Sequence, residues 1–223
     1  MKKTITPRAP RAFTLVELLV TIAIIAILAA LGMTAYRSVM AAANGAKCTS
    51  NLRTVGQAIT LYVEDSSFLK FTNGTANPTQ GQLPGPLNVG QIPICSKNYQ
   101  SMLGFLLYPY LGLPEPTKVD LVVAVLQCPG WKKEVKKKDG VSYLATNSFT
   151  YENTVYRPFG YPFASGAMKM TAMPIQPSRI VVLKDADQMC PEAGGDWLSN
   201  LPAKPVHNGK RNTLYLDGHV SMQ

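Results

Sequence analysis

Apolar residues are gathered at one end of the chain. From Phe13 to Tyr36 almost every position is Leu, Ile, Val, Ala or another uncharged residue, and the one charge is Glu17. The pattern predicts a helix that is apolar on every side. About 24 residues at a rise of ~1.5 Å make it roughly 36 Å long, enough to cross the hydrocarbon core of a bilayer. It contains no Pro, and Gly32 is its weakest helix former. Further on the pattern becomes one-sided. Leu52, Val55, Ile59 and Val63 recur at steps of three and four, with Asn51, Arg53, Thr54, Gln57 and Thr60 on the other sides, which predicts an amphipathic helix facing a core. A single helix from Phe13 to about Glu64 would be near 80 Å long at ~1.5 Å per residue. Gly45 is its expected point of bending, and Asp65-Ser66-Ser67 ends the pattern.

The rest of the chain reads as short elements. Residues 72–98 are crowded with Asn73-Gly74, Asn77-Pro78 and Pro84-Gly85-Pro86, which predicts loops. Leu103, Leu106, Leu107 and Tyr110 stand at helical steps, predicting a short helix that ends before Pro114. Val119 to Leu126 is a second short helix or a strand. Val141 to Tyr156 is rich in Tyr, Thr and Val and predicts strand. Ile180-Val181-Val182-Leu183 has the composition of a buried strand. Asn212 to Leu216 and His219 to Met222 flank Asp217-Gly218, predicting a hairpin with both turn residues at positive φ. The expected fold class is α+β: a long N-terminal helix whose second half packs on a small antiparallel sheet. Seventeen Gly and seventeen Pro agree with a loop-rich domain.

Charge sharpens the N-terminal reading. The net charge is +9, and Lys2, Lys3, Arg8 and Arg11 all precede the apolar run, with no acidic residue among them. The positive-inside rule places residues 1–12 in the cytoplasm and the bulk of the chain outside. Three readings compete: a secretory signal peptide cut after the run, a plain signal anchor, or a leader cut before the run so that the run is kept. Glu17 separates them. A carboxylate within a spanning helix costs several kcal/mol unless it is paired or lifted to the interface, and a signal peptide or plain anchor gains nothing from it. The second basic cluster is Lys132, Lys133, Lys136, Lys137 and Lys138. Most such runs are solvated loops; nucleic acid is not an expected partner, although a repeated basic loop could touch phosphates.

The string Ala12-Phe13-Thr14-Leu15-Val16-Glu17-Leu18-Leu19 resembles the prepilin peptidase site of type IV pilins and type II secretion pseudopilins. The resemblance implies cleavage between Ala12 and Phe13, methylation of the new Phe13 amine, and a role for Glu17 in assembly, its carboxylate meeting the Phe13 amine of a neighbouring subunit in an apolar filament core. Buried alone each charge is costly; together they are tolerable. The family's usual residue before the cut is Gly, and here it is Ala12. Further motifs resemble a large family of bacterial prepilin-like proteins: Cys48-Thr49-Ser50-Asn51-Leu52, then Tyr62 and Asp65, Leu107-Tyr108-Pro109-Tyr110, Cys128-Pro129, Ser142-Tyr143, Pro177-Ser178-Arg179, and an ending in which His207 is followed by nine residues and Asp217-Gly218. The implied organisation is a leader at 1–12, a transmembrane or filament-core helix at 13–36, its amphipathic continuation at 37–66, and an extracytoplasmic domain at 67–223. The implied function is that of a structural subunit of a pilus-like or pseudopilus assembly in the inner membrane. Its partners would be the prepilin peptidase, other pilin or pseudopilin subunits, the inner-membrane assembly machinery and membrane lipid. The alternative is a membrane-anchored or secreted binding protein that does not assemble.

Candidate chemistry is sparse. In the C-terminal motif, a His207–Asp217 hydrogen bond would tie the terminus to the sheet. Major secretion pseudopilins hold calcium in a C-terminal loop, and Asp185, Asp187, Glu192 and Asp196 lie nearby in this sequence as candidate ligands, without the order of an EF-hand. No cofactor is otherwise expected. Four cysteines allow three pairings; Cys48–Cys128 with Cys95–Cys190 is the favoured one, and free buried thiols are the alternative. No Cys-x-x-Cys spacing points to zinc. Nucleophile elbows, phosphate loops and dinucleotide fingerprints are absent from the sequence, so no enzymatic activity is expected.

Overall fold

The computed structural model describes residues 14–65, 80–135, 140–162 and 165–223. The expected loop dipeptides Asn73-Gly74 and Asn77-Pro78, and Lys136 to Lys138, lie outside the described residues. Helix α1 spans Leu15–Glu64, 50 residues without interruption at Gly45. The chain divides between Ala42 and Ala43 into two compact units, each taken by itself below.

In the first unit the helix keeps its apolar side chains in the open. Leu15, Val16, Leu18, Leu19, Ile22, Ile25, Leu28, Leu31 and Met33 are all more than half exposed. The helix is long and apolar enough to cross a membrane, and its most apolar stretch is not buried within the chain. A helix that is apolar all round is stable only where something else covers it, lipid or other helices.

The second unit is built around the rest of α1. Cys48, Leu52, Val55, Ala58, Ile59 and Tyr62 are buried along one face, and they share a core with Leu103, Leu126, Trp131, Tyr143, Val182 and Leu214. The sheet against which this face packs has five antiparallel strands in the order β1 (Gly90–Gln91), β4 (Tyr143–Ala145), β7 (Val181–Asp185), β8 (Asn212–Tyr215), β9 (Val220–Met222). The other strands form two pairs, β2 (Ile94–Cys95) with β3 (Leu121–Val122), and β5 (Phe149–Tyr151) with β6 (Thr154–Tyr156). Successive residues of a strand face opposite ways. In β4, Tyr143 and Ala145 accordingly join the main core, whereas Leu144 packs in a second cluster with Val141, Ala186, Cys190 and Leu201.

Several short elements differ from expectation. The helix near Tyr99–Tyr110 shrinks to α2, Leu103–Leu106, flanked by turns. Val119 to Leu126 holds both β3 and a 3-10 turn at Ala124–Leu126. Cys128 precedes α3, Pro129–Glu134, and Pro at the first position suits a helix start. The final hairpin forms, but its turn is not the two-residue type. Gly218 N–H donates to Tyr215 O at 2.9 Å, Tyr215 N–H to His219 O, and only Gly218 takes a positive φ, +87°. This is a three-residue loop closed by a glycine bulge, so Asp217 keeps an ordinary φ. The two-residue turn with paired positive φ occurs instead between β5 and β6, at Glu152 (46°) and Asn153 (64°).

Candidate functional site

Two places carry the sequence-predicted residues. The first is the start of α1. Thr14 is the residue before the helix, and Glu17 is its third position. Thr14 N–H and its hydroxyl both donate to Glu17 Oε2 at 2.9 Å, while Glu17 N–H donates to Thr14 Oγ1 at 3.2 Å. This reciprocal pair is a capping box, which satisfies two of the four unbonded N–H groups at a helix start. The Thr-x-x-Glu string at Thr14 to Glu17 is the sequence signal for this cap. Ala12 and Phe13 lie outside the described residues.

The second place is buried in the second unit, where the prepilin-like motifs converge. Cys48 and Cys128 form a disulfide, with Cα atoms 4.9 Å apart and a sequence separation of 80. Cys48, Asn51 and Leu52 fall on one face of α1, as a spacing of three and four requires. Asn51 Nδ2 donates to the buried Gln127 carbonyl at 3.0 Å. The motif thus clamps the 127–128 segment onto the helix. The next pair meets in the same way: Tyr62 packs edge-on against Tyr110, and the Tyr110 hydroxyl bonds Asp65 Oδ2 at 3.2 Å. Ser142 Oγ donates to Leu126 O at 2.5 Å in the interior.

His207 joins this cluster rather than Asp217. Its Nε2 lies 3.1 Å from Cys128 Sγ and 3.4 Å from Asp185 Oδ2, with His207 and Asp185 side chains only 4% and 2% exposed. The ring sits where Gly130 has no side chain: a Cβ there would stand 3.1 Å from His207 Cε1. Gly45, expected to bend the helix, instead faces the His207 ring. His207 also opens a tight turn, with Asn208 at φ 54°, Gly209 at φ 80° and Lys210 N–H returning to His207 O. Asn-Gly is the preferred dipeptide for such a turn, and this was the signal in the sequence that could have placed His207.

Asp217 goes elsewhere. Its Oδ1 lies 2.6 Å from His219 Nδ1 on the surface, and Tyr215 stacks on the His219 ring at 4.2 Å. The expected His207–Asp217 bond is therefore not formed. The loop at Leu216–Gly218 turns Asp217 outward, while the turn at 208–209 sends His207 inward.

The four carboxylates considered for calcium are also separated. Asp185 Oδ2 accepts both the backbone N–H and the side-chain amide of Asn212, at 2.7 and 3.1 Å. Asp187, 1% exposed, is held by both nitrogens of the Arg211 fork. Glu192 pairs with Lys184, and Asp196 is exposed. Among the described residues, no group of three or more potential ligands includes any two of them, far from the six to eight oxygens calcium takes. Cys95 and Cys190 are free thiols, not a second disulfide. Cys95 belongs to the main core and Cys190 to the second cluster, so the two are buried in separate places.

Burial governs the electrostatics. It pushes Asp185 up to about 7, against the opposing pull of the Asn212 bonds, and pushes His207 down. Tyr143, paired with Asp185 across the sheet, is raised by burial and then by the Asp185 charge. Although His207 and Asp185 are close enough for an ion pair, both shifts favour the uncharged forms, because desolvation of either ion exceeds what the partner returns. Asp185 Oδ1 and the Tyr143 hydroxyl are buried without a hydrogen-bond partner.

Comparison with known proteins agrees with the N-terminal geometry. Residues 7–33 match the family model of the prokaryotic N-terminal methylation motif. No curated protein and no solved structure matches the chain. The match ends within α1 and leaves the His207 and Asp217-Gly218 ending outside it. Together the motif at 7–33, the exposed apolar helix that follows, and the α+β domain with its antiparallel sheet support a type IV pilin-like protein with a prepilin-type N-terminus.

Proposed function

We propose that the chain is a structural subunit of a type IV pilus-like or type II secretion pseudopilus assembly. In this reading residues 1–12 are a cytoplasmic leader removed by prepilin peptidase between Ala12 and Phe13. Phe13 is then N-methylated, residues 13–36 hold the subunit in the inner membrane before packing into the filament, and the domain lies outside. The observation that carries the reading is the N-terminal motif followed by an apolar helix face with no cover of its own. Glu17, capped within its chain by Thr14, would turn to the neighbouring subunit's Phe13 amine on assembly. The outer domain then acts as a coat whose disulfide, Asn51 clamp and aromatic contacts hold it to the helix; no catalytic residue is assigned.

The test is the mass and N-terminal sequence of the chain isolated from membranes. Phe13 as the first residue, carrying one extra methyl group, is the expected result. A chain beginning near Tyr36 would overturn it. Assembly is tested separately by crosslinking between cysteines placed on neighbouring faces of residues 20–30, with Glu17→Gln expected to reduce the crosslinked ladder. The second reading, a membrane-anchored binding protein that does not assemble, draws on a pocket of about 460 Å³ in the domain, lined by Tyr99, Tyr161, Trp197, Asn88 and Asn200. A methylated chain that stays monomeric would favour it.

A further inference from the structure

The buried cluster around the disulfide has the composition of a metal site. Cys48, Cys128 and His207 place one ligand atom each within 4.8 Å of one another, all three buried. Asp185 lies outside that mutually close set, but its Oδ2 is 3.4 Å from the same His207 nitrogen that faces Cys128 Sγ at 3.1 Å. Two sulfurs, an imidazole nitrogen and a carboxylate oxygen are a tetrahedral zinc set. The spacing fits. With Zn–S near 2.3 Å and Zn–N or Zn–O near 2.0–2.1 Å, tetrahedral ligands stand roughly 3.5 Å apart for S and N and about 3.3 Å for N and O. The Asp185 carboxylate keeps one oxygen open for a further partner. Asp185 is 2% exposed, and its Oδ1 has no hydrogen-bond partner. The carboxylate is oriented by two bonds from Asn212, the kind of outer support that ligating carboxylates receive. None of this follows from sequence spacing, because the ligands are drawn from α1, the start of α3, the turn before β8, and β7.

We propose that the chain with its Cys48–Cys128 disulfide reduced binds one zinc-type divalent cation through Cys48 Sγ, Cys128 Sγ, His207 Nε2 and the Asp185 carboxylate, so that disulfide and metal are alternative closures of one site. Opening the disulfide takes two electrons and two protons from a dithiol reductant, which leaves as its cyclic disulfide. The cation then displaces the two thiol protons to solvent and binds the thiolates. The metal form is the state of the chain before its disulfide closes. It ties α1 to the start of α3 through the metal where the oxidised chain uses a sulfur–sulfur bond.

The experiment uses the full chain in detergent micelles, purified without oxygen in a dithiol reductant that is then removed, and titrated with Co²⁺ as a spectroscopic stand-in for zinc. The expected result is one Co²⁺ per chain, with a thiolate charge-transfer band and the intense visible bands of a tetrahedral centre, both displaced by Zn²⁺. The oxidised chain should give neither. His207→Gln and Asp185→Asn, reduced in the same way, should each weaken Co²⁺ binding by at least about tenfold, as the loss of even an outer partner does. Sharp dependence on both variants supports the site. A reduced chain that unfolds and binds no cobalt, that binds it only with the weak spectrum of an octahedral oxygen site, or that binds equally well in both variants overturns it. Far-UV circular dichroism on each sample shows whether a variant has folded. If His207→Gln alone is unfolded, Asp185→Asn and the Cys48→Ser/Cys128→Ser double variant carry the decision, the latter expected to show no charge-transfer band.

Discussion

Removing the Cys48–Cys128 disulfide by Cys48→Ala/Cys128→Ala should be among the most destabilising changes in the chain. The bridge closes a loop of 80 residues. The chain-entropy relation gives about 15 cal/mol/K for that loop, or ~4.5 kcal/mol at 25 °C, near the top of the ~2–5 kcal/mol measured when native disulfides are removed. The effect falls on the second unit, since both cysteines are buried in its core. The assay is urea unfolding of the full chain in micelles, followed by the fluorescence of the buried Trp131 and by circular dichroism. With a slope of ~2 kcal/mol/M the midpoint should fall by roughly 2 M. Wild-type protein kept reduced and metal-free should behave like the variant, and Zn²⁺ should raise the midpoint of the reduced wild type but not of the variant. A fall below about 0.5 M with an unchanged slope would refute the reasoning. It would mean that Asn51, Leu52 and their neighbours already hold the 127–128 segment to the helix in the denatured ensemble.

Leu52→Ala, at a position with no exposure, should cost ~2–5 kcal/mol in the same assay by cavity formation. Arg211→Met leaves the Asp187 carboxylate buried without its partner, and should cost up to ~3–5 kcal/mol, the lower end being expected because Arg211 is a quarter exposed. Thr14→Ala removes half of the capping box and should cost about 1 kcal/mol of order at the start of α1, read by amide exchange at Val16 to Leu18. The pH dependence follows from Asp185. Burial raises its folded value from 3.8 to about 7, so its contribution to stability is fully present below pH 4 and is lost as pH rises through 7. His207, depressed by burial, acts oppositely: its contribution is present above its ordinary value and is lost as pH falls. Melting temperatures of wild type and Asp185→Asn between pH 4 and 8 separate the two, and the variant should lose the part of the slope that falls with rising pH.

What the amino-acid sequence settled by itself is local or compositional. An unbroken apolar run is a membrane-compatible helix whatever surrounds it, because its backbone bonds are all internal and no neighbour is needed to satisfy them. The three- and four-residue steps of Leu52, Val55, Ile59 and Val63 determined which face of α1 meets the sheet, and Val and Ile at 180–182 marked β7. The capping box at Thr14 and the tight turn at Asn208-Gly209 were legible in the same way, since each depends on residues within three positions. Only the tertiary structure decided the partners. His207 lies closer in sequence to Asp217 than to Asp185, yet β7 and β8 run side by side and bring Asp185 to Asn212 and the ring. The neighbouring turns send Asp217 to the surface. Cys95 and Cys190 could be paired on paper, but alternation along the sheet and its loops places them in different clusters. Long-range contacts of this kind depend on strand register and on which face each residue takes, and a one-residue change in either would reassign every partner.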